Sequence, residues 1–197
     1  MKDLPPKDIS VLGIAASSRG FGFALMVGPS TLVDWGVKPV KSGDKNERSL
    51  SNFGNLIDRY KPNVLGIEDI QGSRRGARVQ VLIEEIVTMA EGENIEVKRF
   101  SRQQMSLKIL RDERGTKHSL AEHLAARFPE ELSFRLPRKR RLWTSEDYQM
   151  DIFQAVALAQ CSVDLLYPGP EQLNRIISQN SVPRDVERTD TPSITGR

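Results

Sequence analysis

Five short segments rich in apolar and β-branched residues predict β-strands. The fourth segment, VLGI, is wholly apolar, as expected of a strand that is buried on both faces. Short turns such as Gly28-Pro29-Ser30 join the first three segments, which predicts an antiparallel meander. The predicted strands are residues 11–15, 21–27, 31–40, 64–67 and 95–100.

Other segments repeat their apolar residues at helical spacing, as Leu50, Phe53 and Ile57 do within residues 46–60. The order βββαβαβ, followed by further helices, predicts an α/β fold with a mixed five-stranded sheet flanked by helices. A ligand is expected at the carboxyl ends of adjacent parallel strands. The other predicted helices are residues 74–91, 102–110, 117–128 and 145–166, and residues 129–143 are predicted to be irregular and basic.

The chain has 197 residues, of which 38% are hydrophobic and 28% charged, which excludes wholesale disorder. No apolar run approaches the roughly 20 residues of a membrane helix. Pro5 and Pro6 lie where a signal peptide would need an apolar stretch, so a signal peptide is not expected. The single cysteine, Cys161, excludes an internal disulfide and indicates a reducing cytoplasm. We expect an N-terminal tail (1–9), one domain (10–167) and a flexible, polar C-terminal tail (168–197).

Basic residues cluster although the net charge is only +3, which favours a polyanionic partner over a solvated face. Lys117 is the best single candidate for a phosphate contact, because it begins a predicted helix after Gly115. The candidate nucleic-acid-binding residues are Arg74, Arg75, Arg78, Arg102, Lys108, Lys117, Arg138, Lys139, Arg140 and Arg141.

Glu68 follows a buried apolar strand, where a carboxylate is costly unless it is paired or binds a cation. It is either the first solvated residue after the strand or part of a site. Asp69 is expected to point to the other side while the strand stays regular.

Two acids lie at the beginning of the last predicted helix. Thr144 and Asp147 have the capping-box spacing, so Asp147 has a structural explanation. Asp151 is one turn further, on the same predicted face, and precedes a long apolar surface. It is therefore expected to face a site, the alternative being a residue that stabilises the helix dipole.

Four motifs in the same order resemble those of the RuvC-type Holliday-junction resolvases of the RNase H-like superfamily. Residues 12–22 (LGIAASSRGFG) resemble the first-strand motif LGIDPGSRxxG, and VLGIE, ending at Glu68, resembles the second. FSRQ followed by GTK resembles the stretch with the DNA-contacting lysines, and DIFQAVALA, beginning at Asp151, resembles DxxDALAxA. The resemblance implies an RNase H-like fold and a divalent-metal nuclease site, with Mg²⁺ (or Mn²⁺) held by oxygen ligands.

Two of the family's acidic positions are not acidic here. The first-strand aspartate falls on Ala15 and the last aspartate on Gln154, so that Glu68 and Asp151 remain. Asp147, or less readily Asp69 or Asp34, could replace a missing acid; a shifted alignment would instead pair Asp147 with Asp151. Alternatively, the protein retains the fold without cleavage, or Ala15 is an introduced change.

Three functions follow as hypotheses. The first is a Mg²⁺-dependent endonuclease of branched DNA with Glu68, Asp151 and Asp147 as catalytic metal ligands, working as a homodimer through the helix at residues 74–91. The second is a catalytically inactive nucleic-acid-binding protein, and the third, on the same fold, an ATP-binding or structural protein. His118 and His123 are expected to be surface or packing residues, and Phe134 and Trp143 either stack on an unpaired base or close the core.

Overall fold

The computed structural model of the protein describes residues 9–71, 75–140, 143 and 147–168. The chain divides into two units, Met1–Tyr167 and Pro168–Arg197. Only Pro168 of the second unit is described, so the predicted C-terminal tail lies outside the described residues, as do Arg74 and Arg141.

One mixed five-stranded sheet spans the described part of the chain, which confirms the predicted fold class. The strand order is β3-β2-β1-β4-β5. The first three strands form the predicted antiparallel meander, whereas β4 runs parallel to both β1 and β5. The strands are β1 (Ser10–Ser17), β2 (Gly20–Val27), β3 (Thr31–Pro39), β4 (Val64–Glu68) and β5 (Glu96–Phe100).

Helices cover both faces of this sheet. The first begins where the carboxylate of Asp44 accepts the backbone N–H groups of Asn46 and Glu47, and it ends at Lys61 in the left-handed conformation. The helices are α1 (Lys45–Tyr60), α2 (Ala77–Gly92), α3 (Arg102–Leu110), α4 (Lys117–Arg127), α5 (Pro129–Leu132) and α6 (Met150–Leu166), with a short 3₁₀ turn at Ser133–Arg135.

The last helix begins later than predicted. It starts at Met150 instead of residue 145, and Asp147 precedes it. The Asp147 carboxylate accepts the backbone N–H of Gln149 at 2.9 Å, a local turn that competes with helix formation. The predicted shared helical face of Asp147 and Asp151 is therefore wrong, and Thr144, the other member of the predicted capping box, lies outside the described residues. Residues 129–143, predicted to be irregular, contain the short helix α5.

Alternate residues of β1 face two separate cores. Val11 and Ala15 pack in the core formed with α6, whereas Leu12 and Ile14 pack in the core formed with α1 and α2. The sheet is thus buried on both faces, which explains why β1 and β4 contain continuous apolar runs.

Glycines allow α6 to lie directly on the sheet. A Cβ at Gly13 would be 2.1 Å from the carbonyl oxygen of Ala155, and one at Gly22 would be 2.2 Å from that of Asp151. A Cβ at Gly66 would be 2.6 Å from the carbonyl oxygen of Leu158. These contacts fix the first turns of α6 over the carboxyl end of β1.

Candidate functional site

A cleft lies at the carboxyl end of β4, the strand that runs between β1 and β5. Ile14 pairs with Ile67 in the parallel register, so Ala15 and Glu68, which follow them, lie side by side on neighbouring strands. Both are on the α6 side of the sheet, since Ala15 packs in that core and Gly66, two residues before Glu68, faces Leu158. The family's first two acidic positions are thus adjacent, and one of them carries a methyl group.

Arg75 forms an ion pair with Glu68 inside this cleft. Its Nη2 donates to Glu68 Oε2 at 2.5 Å, and its Nε donates to Oε1 at 3.4 Å. The same Nη2 lies 3.4 Å from Oε1 of Gln154 on α6. The guanidinium therefore binds the glutamate and the glutamine that the sequence resemblance aligns with two acidic positions of the resolvase motifs.

The Gln154 amide is buried and only partly hydrogen-bonded. The residue is 6% exposed, and its Nε2 has no hydrogen-bond partner. Such a buried donor costs about 1–3 kcal/mol unless a ligand or water accepts its hydrogen bond.

The beginnings of α3 and α4 form the opposite wall of a cavity of about 550 Å³. Ser101 and Thr116 cap these helices, each within a complete capping box. The residues that line the cavity include Glu68, Asp69, Arg75, Ser101, Arg102, Gln103, Thr116, Lys117 and Gln154.

Asp69 is also among the residues that line this cavity, and the expectation that its side chain points away from Glu68 stays a prediction. Its backbone N–H donates to the carbonyl of Phe100 at 2.9 Å, so the pairing of β4 with β5 continues just beyond Glu68. Asp69 Oδ1 accepts the backbone N–H of Gln71 at 3.0 Å. Asp34, another considered substitute, lies on β3 and accepts the hydroxyl of Tyr60 instead.

Asp147 and Asp151 lie together in a second cavity of about 200 Å³. Its other walls are Ser17, Ser18 and Arg19 at the end of β1, and Tyr148. Ala15 pairs with Gly22, against which Asp151 packs, so this cavity adjoins the same end of the sheet. The three acids predicted as metal ligands are therefore divided between two cavities.

The residues present do not fit a magnesium site with several carboxylates. Among the described residues, no group of three or more His, Cys, Asp or Glu side chains is placed to hold a metal ion. Glu68 is already neutralised by Arg75, and Gln154 directs an unpartnered donor, not an acceptor, into its surroundings. A cation would meet a guanidinium there, where a metal-dependent nuclease needs anionic oxygen.

The predicted DNA-binding cations fall into separate groups. Arg75, Arg102 and Lys117 line the cleft. Arg78 instead donates to Asn46 Oδ1 at 2.8 Å and to the carbonyl of Ser17 at 3.3 Å, and so ties α2 to α1 and β1. Lys108 is half-buried on α3, whereas Arg138, Lys139 and Arg140 are exposed beyond the 3₁₀ turn.

Some predicted candidates have structural roles or exposed positions. His118 lies with Nε2 3.4 Å from Glu122, and His123 is exposed, as expected of packing and surface residues. Phe134 is 66% exposed and Trp143 79%, so neither closes the core. Their exposure excludes only the core-closing role, and base stacking stays a prediction.

The roles of Gln154 and the α3 cap were missed by reasoning from the sequence. Gln154 was recognised only as a lost acid, because its contact with Arg75 joins residues 79 positions apart. A signal for the cap was present, since Ser101 and Gln104 have the capping-box spacing.

No described helix is long and apolar enough to cross a bilayer. No protein-family profile and no curated protein matches the sequence. Solved structures similar to the chain include three of resolvases. A Thermus thermophilus RuvC structure has a TM-score of 0.60 and 12% identity, covering 81% of this chain and 97% of its own.

A structure of T. thermophilus RuvC in complex with a Holliday junction substrate has a TM-score of 0.59 at 12% identity, covering 81% of this chain and 96% of its own. The crystal structure of the fowlpox virus Holliday junction resolvase has a TM-score of 0.49 at 14% identity, and the match covers 80% of this chain and 99% of the viral chain. The two bacterial structures confirm the predicted fold: the described chain has the fold of a RuvC-type resolvase.

Proposed function

We propose that this protein binds branched DNA of the four-way-junction class and does not cleave it. The RuvC-like fold and the similarity to a RuvC bound to a Holliday junction support the substrate class. The cations Arg75, Arg102 and Lys117 in one cleft supply contacts for a phosphate backbone.

The observation that carries this proposal is the Arg75–Glu68 ion pair beside Gln154. Metal-assisted hydrolysis needs clustered anionic oxygens that concentrate positive charge on the scissile phosphate. Here a methyl group and an amide occupy two of the family's acidic positions, and a guanidinium holds the remaining glutamate. The cleft thus retains positive charge for a polyanion without an anionic cage for a metal.

A Mg²⁺-dependent endonuclease is the second candidate. Asp147 and Asp151 share one cavity next to the end of β1, which favours this function. Mg²⁺ (or Mn²⁺), when bound, would activate water for phosphodiester hydrolysis. The proposed ligands would be Glu68, Asp147 and Asp151.

Incubation with a labelled four-way junction in Mg²⁺ or Mn²⁺ separates the two candidates, read on native and denaturing gels. We expect the wild type to shift the junction on the native gel and leave every strand intact on the denaturing gel. Glu68→Gln should also leave every strand intact. Strand cleavage by the wild type that disappears in Glu68→Gln would establish the endonuclease instead, and no shift even at low salt would exclude both.

A homodimer through α2 remains part of the proposal. Val81 on this helix is 51% exposed and borders an apolar groove with Leu50, Ile70 and Met89. Such a patch is typical of a contact surface. Sedimentation should give a dimer for the wild type and a monomer for Val81→Glu; equal masses would contradict an α2 interface.

A further inference from the structure

Gln154 lines the cleft and carries a buried amide donor that has no partner. Its Oε1 already faces Arg75 Nη2, which fixes the amide so that Nε2 is the group left without a partner. The residue is 6% exposed and lines the cleft. A ligand that satisfies this donor must be a hydrogen-bond acceptor.

Arg75 adds positive charge at the same place. Glu68 holds the guanidinium through two contacts, at 2.5 and 3.4 Å, and so orients it beside Gln154. Glu68 therefore acts as a positioning residue for Arg75. Glu68 balances the charge of Arg75, while Arg102 and Lys117 outweigh the charge of Asp69 in the same cavity. An oxyanion between the amide N–H and the guanidinium would therefore accept hydrogen bonds from both in a cavity of net positive charge.

The beginning of α3 contributes donors to the same cavity. The capping box of Ser101 and Gln104 satisfies the N–H groups of these two residues. Arg102 and Gln103, the first two helical residues, line the cleft, and their N–H groups have no acceptor within the helix. The positive end of the helix dipole thus faces the same cavity as Arg75 and Gln154.

We propose that this cleft binds one phosphate group of the DNA backbone directly, through Gln154 Nε2 and the Arg75 guanidinium, with no divalent ion between them. The site therefore recognises phosphate with one donor, Gln154, at a position where the resembled RuvC-type motif has an acid, and with Arg75 beside it. This inference rests on the proposed binding of branched DNA.

Fluorescence anisotropy of a labelled four-way junction tests the assignment on the full chain. Gln154→Leu replaces the amide donor with an apolar side chain of similar size. Gln160→Leu is the matched control. Gln160 is also buried on α6, but its Nε2 donates to Asp164 and it does not line the cleft. We expect Gln154→Leu to weaken binding about 10-fold, since a hydrogen bond to a charged group is lost, and Gln160→Leu to bind like the wild type.

A second variant, Arg75→Gln, covers the case in which Gln154→Leu fails to fold. It should weaken binding and lower the slope of log K against log salt by about 1, as expected for one lost phosphate contact. Junction binding by the wild type with unchanged affinity in both folded variants would overturn this inference and leave the proposed function intact. Absence of wild-type binding would instead remove the proposed function itself.

Inorganic phosphate distinguishes a backbone phosphate from a free one. We expect phosphate to raise the Tm of the wild type no more than chloride does at equal ionic strength. A rise in Tm that is specific to phosphate and lost in Gln154→Leu would assign the cleft to a free phosphate and overturn the backbone assignment.

Discussion

Ala15 and Glu68 lie side by side on two hydrogen-bonded parallel strands, with both residues on the side of the sheet covered by α6. Ala15 is 2% exposed, so its methyl group is enclosed. A carboxylate at this position would need a cation, because a second buried negative charge beside Glu68 is costly.

The double variant Ala15→Asp with Gln154→Asp should therefore be less stable than the wild type by roughly 3 kcal/mol or more in metal-free buffer. Mg²⁺ at about 100 times its Kd should raise the free energy of unfolding of the double variant by about 2.7 kcal/mol, because the ion binds only the folded state. Thermal unfolding with and without Mg²⁺, at equal ionic strength, measures both effects. A wild-type Tm that rises with Mg²⁺ as much as that of the double variant would show that the natural cleft already holds the ion.

Lys117→Gln should weaken junction binding similarly across DNA sequences and lower the salt slope by about 1, because Lys117 lines the cleft and is proposed to contact a phosphate. Anisotropy titrations at several salt concentrations measure both quantities. Lys61→Asn is the control of equal charge change: Lys61 precedes β4, at the opposite end of the sheet, and its φ of 43° suits asparagine. Equal losses in the two variants would indicate only a general effect of net charge.

Gly13→Ala should destabilise the fold by about 1–3 kcal/mol, because the new Cβ would be 2.1 Å from the carbonyl oxygen of Ala155 and α6 would have to move. Gly92→Ala, at the end of α2, is the matched control, since its Cβ would meet no atom within 4 Å. Chemical denaturation provides both free energies of unfolding. A Gly13→Ala variant as stable as Gly92→Ala would contradict the close contact between β1 and α6.

Cys161 should resist thiol reagents in the native protein. Burial raises the pKa of its thiol to about 12, and the thiolate is the reactive form. At about pH 8 we expect labelling only after denaturant is added, because unfolding returns the pKa to its ordinary range. Labelling at the same rate without denaturant would show that α6 does not hold this residue in the core.

The sheet could be predicted from the sequence because its signal is local. A short, wholly apolar run such as VLGI is typical of a strand that is buried on both faces. The turns between β1, β2 and β3 are short, which favours antiparallel pairing of these strands. The predicted first residue of α6 was wrong. Asp147 can either cap a helix or close a turn with Gln149, and sequence spacing alone does not distinguish these two roles.

The site could be predicted only in part. Glu68, Arg75 and Lys117 were predicted from the sequence as separate candidate site residues, and the structure places all three in the same cleft. The Arg75 ion pair and the donor role of Gln154 depend on the packing of α6 against the sheet, which local sequence does not reveal. The division of the acids between two cavities arises in the same way.

The dissociation constant of the wild-type protein for a four-way junction, measured in EDTA and again in Mg²⁺ at matched ionic strength, tests the central claim most directly. A cleft that binds phosphate through Arg75 and Gln154 predicts equal affinities and an intact junction in both buffers. Binding that requires Mg²⁺, or a junction that is cut when Mg²⁺ is present, would contradict it.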